Sequence, residues 1–211
     1  MTMNIAITGT IGAGKSTVAT MLAALLPARR IDTDQICRRL LRVDEEGWRR
    51  LRQIFPSHFF DDNGELRRAE LRQAVFFDDE RRRQLEGVLH PLVEAEISEA
   101  MLAGSGDDFR LIEVPLLFEV GWQRRFDAVV TVYIPEVTGI ERVIARDRVS
   151  AAQVEKILAA QWPAAEKAAG ADWVIDNRGA ITSSFIQVSW LAQCLRQRAG
   201  GATGRDDCQA A

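Results

Sequence analysis

Short continuous apolar runs alternate along this chain with stretches in which apolar residues recur every three or four positions. The run over residues 4–8 predicts a buried strand, and residues 16–26 follow with apolar side chains at helical spacing. Because strands alternate with helices, we expect an α/β fold with a parallel sheet, whose ligand sites lie beyond the carboxyl ends of the strands. Four further strands are predicted by short apolar runs bounded by turn residues, at 30–34, 109–114, 127–134 and 172–177.

The region from residue 35 to about 103 departs from this alternation, because its pattern is helical throughout. Pro56 and a polar Asn-Gly turn at 61–65 interrupt the helices. Residues 80–101 carry one apolar stripe that contains Pro91, which predicts either a kink or a break between two helices. We therefore predict a helical excursion from the sheet.

The last third of the chain returns to helices and strands. One helix is predicted at 136–146, a second is capped by Ser150 and extends to Trp162, and a final helix covers about 183–196. Trp162 and Trp173 are predicted to lie in the core, and an aromatic wall near a nucleotide base is the alternative. Residues 198–211 are small, polar and aperiodic, which predicts disorder.

The loop between the first strand and the first helix reads GTIGAGKS over residues 9–16, the pattern G-x-x-x-x-G-K-[ST]. Glycines let successive backbone N–H groups turn around phosphate oxygens, and the helix that follows directs its positive end to the same place. Lys15 adds a cation for the β and γ phosphates, and the Ser16 hydroxyl is placed to bind Mg²⁺. We therefore predict a nucleotide-phosphate site formed by Gly12, Ala13, Gly14, Lys15, Ser16 and Thr17.

Acidic residues lie where two of the predicted strands end. Asp32 and Asp34 follow the second strand, where a carboxylate can orient an acceptor hydroxyl and take up its proton. Either aspartate can instead cap the helix that begins near Gln35, and the pattern leaves both alternatives open. Glu113 lies near the end of the third strand, where many nucleotide-binding folds place an acid that holds magnesium through water.

Arg142 and Arg146 are one helical turn apart, which puts two guanidinium groups on one face of the predicted helix. On a mobile lid, such arginines neutralise a migrating phosphoryl group and help to exclude water. Surface ion pairs with Glu141 and Asp147 are the alternative. His90 lies in an apolar helical stretch, where a lone histidine is typical of a core or interface position.

Composition narrows the class of protein. The 211 residues are 47% hydrophobic and 27% charged, which is typical of a globular domain, and no apolar run approaches the roughly 20 residues of a membrane span. A net charge of −3 argues against general nucleic-acid binding. The first residues lack the pattern of a secretory signal, so we expect a cytoplasmic protein. Its three cysteines, Cys37, Cys194 and Cys208, lack metal-ligand spacing and are predicted to be free thiols.

Several segments together resemble one family, the dephospho-coenzyme A kinases. They extend from about residue 4 to residue 195, and the His-Pro segment, PLLFE and DWVIDN are more specific than the phosphate loop alone. The resemblance implies an ATP-dependent kinase that uses Mg²⁺ and phosphorylates the ribose 3′-hydroxyl of dephospho-coenzyme A, the last step of coenzyme A biosynthesis. The segments are, in family order, ITGTIGAGKSTVA, IDTD, DDNGELRRAELRQAVF, LEGVLHPLV, EVPLLFE, ERVIARD, ILAAQW and AADWVIDNRG.

The resemblance also implies roles for the candidate residues. Asp34 is the expected base or hydroxyl-orienting group, and Lys15 and Arg142 are expected to stabilise the transferring phosphate. Arg146 is expected in the lid and Ser16 on Mg²⁺. The implied substrate contacts are Thr8, Asp32, Asp34, His90, Leu116, Leu117 and Phe118, and Asp176 and Asn177 are expected near the adenine of the nucleotide.

The implied architecture is a three-layer parallel-sheet P-loop kinase fold with a helical insertion and a helical lid. The expected partners are the small molecules dephospho-coenzyme A and ATP, without nucleic acid or membrane, in a monomer or weak homo-oligomer. The expected boundaries are a nucleotide-binding core at 1–59, 104–137 and 170–197, a helical substrate-binding insertion at 60–103, a lid at 138–169 and a disordered tail at 198–211.

The chain departs from the family pattern at a few positions. Thr10 stands where a second glycine is usual, and a β-branched residue tolerates positive φ poorly. Ala13 replaces a common serine, Arg67 replaces a common asparagine, and Glu113 replaces an aspartate. Rival interpretations are a kinase of another nucleoside or nucleotide, a nucleotide-binding regulator, and a catalytically inactive relative.

Overall fold

The computed structural model describes residues 2–103 and 106–200. Within them, five strands form one sheet in the order β2-β3-β1-β4-β5, and the pairs β1–β3, β1–β4 and β4–β5 are parallel. The expected α/β fold with a parallel sheet is therefore confirmed. The strands are β1 Met3–Thr8, β2 Ala28–Asp32, β3 Phe109–Glu113, β4 Ala128–Tyr133 and β5 Trp173–Asp176.

Helices flank the sheet on both faces. Val130 and Val132 of β4 belong to the same core as α1 and α9, whereas Thr131 between them donates to the backbone oxygen of Lys167 in α8. Because successive side chains of a strand point to opposite faces, α8 lies on the face away from α1 and α9. The helices are α1 Lys15–Leu25, α2 Thr33–Leu40, α3 Glu46–Ile54, α4 Arg68–Phe77, α5 Asp79–Leu102, α6 Glu136–Asp147, α7 Ala151–Ala159, α8 Ala164–Ala169 and α9 Ile181–Ala199.

The chain divides into two compact units. The first contains the residues up to Ile31 and those after residue 103, and the second is Asp32–Ala103. The first unit packs β1 and β4 against α1 and α9 through fully buried side chains such as Ile7, Leu22 and Leu191. Each such side chain stabilises the fold by roughly 1.5–3 kcal/mol.

The second unit contains α2 to α5 and has a core of its own. That core is largely aromatic and includes Phe55, Phe59 and Phe60 around Leu51, which is fully buried. The helical insertion predicted at 60–103 lies within this unit, which begins earlier, at Asp32. A role for this unit in substrate binding stays a prediction.

The structure corrects three local predictions. The second strand, predicted at 30–34, is Ala28–Asp32, because Asp32 starts a helix by accepting hydrogen bonds from the backbone N–H groups of Asp34 and Gln35. A break at Pro91 was wrong, since α5 continues through it. Trp162, predicted in the core, is 42% exposed, because α7 ends at Ala159 and leaves Trp162 in a linker.

The predictions for the end of the chain and for the cysteines are met in part within the described residues. Helix α9 extends to Ala199, so the first two residues of the predicted disordered tail are helical, and residues 201–211 lie outside the described residues. Cys37 and Cys194 are free thiols, and Cys208 lies outside the described residues. Across the described parts of the chain, every helix is too short or too polar to cross a bilayer.

Candidate active site

The phosphate loop leaves the end of β1 and enters α1 through Gly14, the N-cap residue, with φ of 89°. A Cβ on Gly14 would lie 2.4 Å from the side-chain nitrogen of Asn177, and a Cβ on Gly12 would lie 2.6 Å from the backbone oxygen of Gly139. Both positions therefore require glycine for conformation and for space. The Lys15 ammonium group donates to the backbone oxygens of Gly9 at 3.0 Å and Thr10 at 3.1 Å, so it lies over the loop.

Thr10 does not strain this loop. Among the described residues, positive φ at a non-glycine position occurs only at Asp44 and Arg148. The Thr10 side chain is buried, and its backbone oxygen also accepts from the Ala13 N–H. The loop thus accommodates a β-branched residue at the position where the family usually has glycine.

Glu113 connects the end of β3 to the start of α1. It pairs in register with Ile7 of β1, is 3% exposed, and accepts from the Ser16 hydroxyl at 2.7 Å. Its other carboxylate oxygen accepts from Arg30 at 2.7 Å, and Arg30 also donates to Thr20. Arg30 was not predicted as a site residue, because the Arg29-Arg30 doublet in β2 matches no motif.

The oxygen donors around Ser16 fit Mg²⁺. A serine hydroxyl and a carboxylate are the hard ligands that this ion prefers, and Mg²⁺ commonly keeps several waters and binds substrate phosphates as well. No described residues form a cluster of three or more His, Cys, Asp or Glu side chains that could hold a metal by themselves. The arrangement suits a metal that is shared with a nucleotide.

Asn177, which is expected near adenine, contacts the phosphate loop with its side chain. Its side-chain nitrogen donates to the backbone oxygen of Ala13 at 2.7 Å, and its side-chain oxygen accepts from the Ser184 hydroxyl at 2.6 Å. The residue is buried, so both ends of its amide are used inside the protein. Neighbouring Asp176 accepts from the backbone and side chain of Arg178.

The two arginines of α6 have different partners. Arg142 donates to the backbone oxygen of Asn177 at 2.8 Å, which fixes its guanidinium group beside the loop that follows β5. Arg146 pairs with Asp147 through two contacts of 2.7 Å, and this pair raises the pKa of Arg146. The alternative of a surface ion pair therefore describes Arg146 in this structure, whereas Arg142 contacts the loop after β5.

A loop of turns covers residues 114–122 after β3 and contains Leu116, Leu117 and Phe118. Leu117 and Phe118 are buried, and the Thr8 hydroxyl reaches the backbone oxygen of Pro115 at 3.4 Å. We call this segment the β3 loop. Thr8 thus lies next to the phosphate loop and contacts the β3 loop.

Two residues near the β3 loop and the phosphate loop were missed by sequence analysis. Gln161 accepts from the Ile11 N–H at 2.9 Å, and Lys167 donates to Glu119 at 2.8 Å. Gln161 lies in ILAAQW, one of the segments that resemble the family, and that resemblance was its only signal in the sequence. Lys167 lies in an alanine-rich helix that gave none.

The remaining candidates belong to the second unit. Asp32 is the N-cap of α2, so its capping role is settled, and Asp34 lies in the first turn of the same helix. Their charges contribute to raising the pKa of the nearby Cys37 thiol to about 11, although burial is the larger cause. His90 lies half-buried in α5.

The chain is similar to known kinases along most of its length. The model of the CoaE family, described as dephospho-CoA kinase, matches residues 3–183. A dephospho-CoA kinase of Desulfotalea psychrophila is 36% identical over 88% of this chain and 94% of its own. One of Methylococcus capsulatus is 39% identical over 82% and 86%.

Solved structures agree with this similarity. The crystal structure of TT1252 from Thermus thermophilus superposes with a TM-score of 0.75 at 31% identity, over 93% of this chain and 97% of that one. A dephospho-CoA kinase from Campylobacter jejuni, at 24% identity, gives a TM-score of 0.66 over 95% and 99% and supports the fold. By its family match and its relatives, this chain belongs to the dephospho-CoA kinase family.

Proposed function

We propose that this protein transfers the γ-phosphoryl group of ATP to the ribose 3′-hydroxyl of dephospho-coenzyme A. The observation that carries this proposal is the family match over residues 3–183, which includes residues of both compact units. The kinase family implies ATP as co-substrate. The chain also has Lys15, Asp34 and Arg142, the charged groups that such a transfer needs. We therefore prefer an active enzyme to an inactive relative.

The phosphate loop binds the triphosphate in this proposal. Its backbone N–H groups and the N-terminus of α1 bind phosphate oxygens, with contributions from Gly12, Ala13, Gly14 and Thr17. Lys15 exchanges its backbone partners for the β and γ phosphates and stabilises the charge on the transferring group. Ser16 and Glu113 would hold Mg²⁺, which would neutralise phosphate charge when it is bound.

The acceptor side uses the acidic pair. Asp34 accepts the proton of the 3′-hydroxyl as the oxygen attacks phosphorus, and Asp32 fixes the helix turn that carries Asp34. Further contacts to dephospho-coenzyme A are assigned to Thr8 and His90. The β3 loop contributes Leu116, Leu117 and Phe118 to the same substrate.

The arginines of α6 complete the proposed machinery. Arg142 is already oriented by the Asn177 carbonyl and neutralises charge on the transferring phosphoryl group. In this proposal Arg146 exchanges Asp147 for a phosphate, and the pair that it leaves is exposed. This exchange is consistent with a lid, formed by residues 138–169, that closes when both substrates are bound.

The proposed reaction also leads to an expected localisation and oligomeric state. Both substrates are small molecules, so we expect a cytoplasmic monomer or weak homo-oligomer that needs neither a nucleic acid nor a membrane. Asp176, the last residue of β5, and Asn177, which follows it, are the expected neighbours of adenine.

An assay of ADP release with Mg-ATP tests the proposal, with dephospho-coenzyme A, adenosine and AMP as separate acceptors and coenzyme A confirmed by mass. We expect turnover with dephospho-coenzyme A alone. Turnover that favours AMP or adenosine would assign the protein another acceptor. The absence of any acceptor-stimulated turnover, with folded protein, would overturn the proposal.

A further inference from the structure

A buried ion pair lies beside the β3 loop, and the proposed reaction does not use it. The Lys167 side chain is 0% exposed, and its ammonium group donates to Glu119 at 2.8 Å and to the backbone oxygen of Pro115 at 2.9 Å. Burial lowers the pKa of Lys167, and the contact with Glu119 opposes this change. Apolar residues in the same space often serve stability as well or better, so stability alone is a poor explanation for the pair.

The pair holds both ends of one short loop. Lys167 fixes Pro115 at the start of the β3 loop, and Glu119 near its end also accepts from the Trp162 N–H at 2.7 Å. Between these points, turn hydrogen bonds such as that from the Val120 N–H to the Leu116 oxygen give the loop its local shape. The segment that contains Leu116, Leu117 and Phe118 is thus anchored by α8 and the linker before it.

This anchor is itself fixed to the sheet. The fully buried Thr131 of β4 donates to the backbone oxygen of Lys167 at 3.0 Å. Helix α8 therefore cannot shift without breaking a buried hydrogen bond to a central part of the core. Lys167 thus connects the sheet, through Thr131, to the β3 loop, through Pro115.

The linker between α7 and α8 contacts two loops with adjacent residues. The Trp162 ring stacks on Phe118 with centroids 5.7 Å apart and an interplanar angle of 16°. Gln161, one residue earlier, accepts from the Ile11 N–H of the phosphate loop. Adjacent side chains therefore reach the two loops that our proposal assigns to different substrates.

We propose that Glu119 and Lys167 are positioning residues for dephospho-coenzyme A, which hold the β3 loop in the shape that this substrate requires. Gln161 has the corresponding role for ATP, through the phosphate loop. This inference rests on the proposed function, because it takes Leu116, Leu117 and Phe118 as acceptor contacts. Neither Glu119 nor Lys167 touches a reacting atom in the proposal.

The test is a comparison of KM values for the two substrates. Lys167→Met removes the charge at similar length, and we expect KM for dephospho-coenzyme A to rise on the order of tenfold while KM for ATP changes by less than about twofold. Lys167→Arg keeps the charge and the donors and should recover most of the wild-type KM. Glu166→Gln, on an exposed neighbour in α8, is the matched control and should leave both values unchanged.

Two further variants distinguish a loss of positioning from a loss of folding. The double variant Glu119→Gln with Lys167→Met leaves no unpaired buried charge, and it should show the same selective rise in KM with a folded protein by circular dichroism. Gln161→Ala should show the reverse pattern, with the larger rise in KM for ATP.

The outcomes separate the inference from the proposed function. The inference is supported if the Lys167 variants raise mainly KM for dephospho-coenzyme A and Gln161→Ala raises mainly KM for ATP. Equal changes in both KM values, or unchanged values in folded variants, would mean that the pair is only structural and would overturn it. A wild-type protein that makes no coenzyme A would overturn the proposed function and this inference with it.

Discussion

The phosphate loop and the β3 loop follow neighbouring strands, and distant residues contact both, but only the phosphate loop also carries its own cation and glycines in one motif. The Lys15 contacts with the phosphate loop join residues five and six positions apart, whereas the contacts that hold the β3 loop come from residues 43 and 52 positions away. The first loop therefore carries much of its chemistry in one contiguous motif. The second depends on residues that only the folded chain brings together.

This difference decides what the sequence could predict. The strands, the helix after the phosphate loop and the end of β3 before Pro115 were predicted from local patterns, because each depends on neighbouring residues. Asn177, Gln161, Lys167 and Arg30 act on the site from distant positions. The resemblance named Asn177 and included Gln161 in one of its segments, but no local pattern predicts which distant groups these four side chains contact.

Removal of Lys15 gives the largest expected effect, because it takes the one cation out of the contiguous motif. Lys15→Ala should lower kcat/KM on the order of 10³-fold, since the charge developing on the transferring phosphoryl group loses a preorganised partner. Steady-state kinetics with ATP and dephospho-coenzyme A measures this. Lys156→Ala, on an exposed position of α7, is the control, and a loss below tenfold for Lys15→Ala would contradict the assigned role.

A substitution of Asp34 tests whether one residue of the second unit takes up the proton of the acceptor hydroxyl. Asp34→Asn should lower kcat on the order of 10²-fold while the Kd values of both substrates stay close to wild type, because it removes acid–base help. Single-turnover kinetics and calorimetry separate the two quantities. Asp62→Asn, in an exposed turn, is the control, and an unchanged kcat would reduce Asp34 to a helix residue.

A substitution of Asn177 tests whether its contact with Ala13 keeps the phosphate loop in shape. Asn177→Asp places an oxygen against the Ala13 oxygen in place of the donor seen at 2.7 Å, so we expect roughly a tenfold rise in KM for ATP and a lower Tm. Ser184→Ala, which removes the Ser184 donor to the Asn177 side chain, should have a smaller effect.

Asn63→Asp in the exposed turn at 61–65 is the matched control for this change. A rise in KM for ATP that is equalled by the control would show that added charge, and not the lost donor, is responsible. A normal KM with a normal Tm would mean that the phosphate loop keeps its shape without Asn177.

The smallest expected effect concerns Cys37, which reports on the charges of Asp32 and Asp34 without any substrate. Its pKa of about 11 keeps the thiol protonated at pH 8, so iodoacetamide should modify it slowly, and faster as the pH rises towards 11. Asp34→Asn removes a charge that raises this pKa and should speed modification a few-fold at pH 8. Peptide mass spectrometry distinguishes Cys37 from the other thiols, and an unchanged rate would show that the charge of Asp34 does not affect the thiol.

The order of the elements along the chain has a consequence for how the protein is made. Strand β1 pairs with β3 and β4, and its first contact, Met3 with Phe109, joins residues 106 positions apart because the whole second unit lies between them. During synthesis, the phosphate-loop strand leaves the ribosome first but has no strand partner until β3 follows. Residues 32–103, with a core of their own, can become compact in the meantime. The nucleotide-binding motif is thus among the first segments to be translated and among the last to acquire its final shape, and closing this long gap is expected to limit the rate of folding.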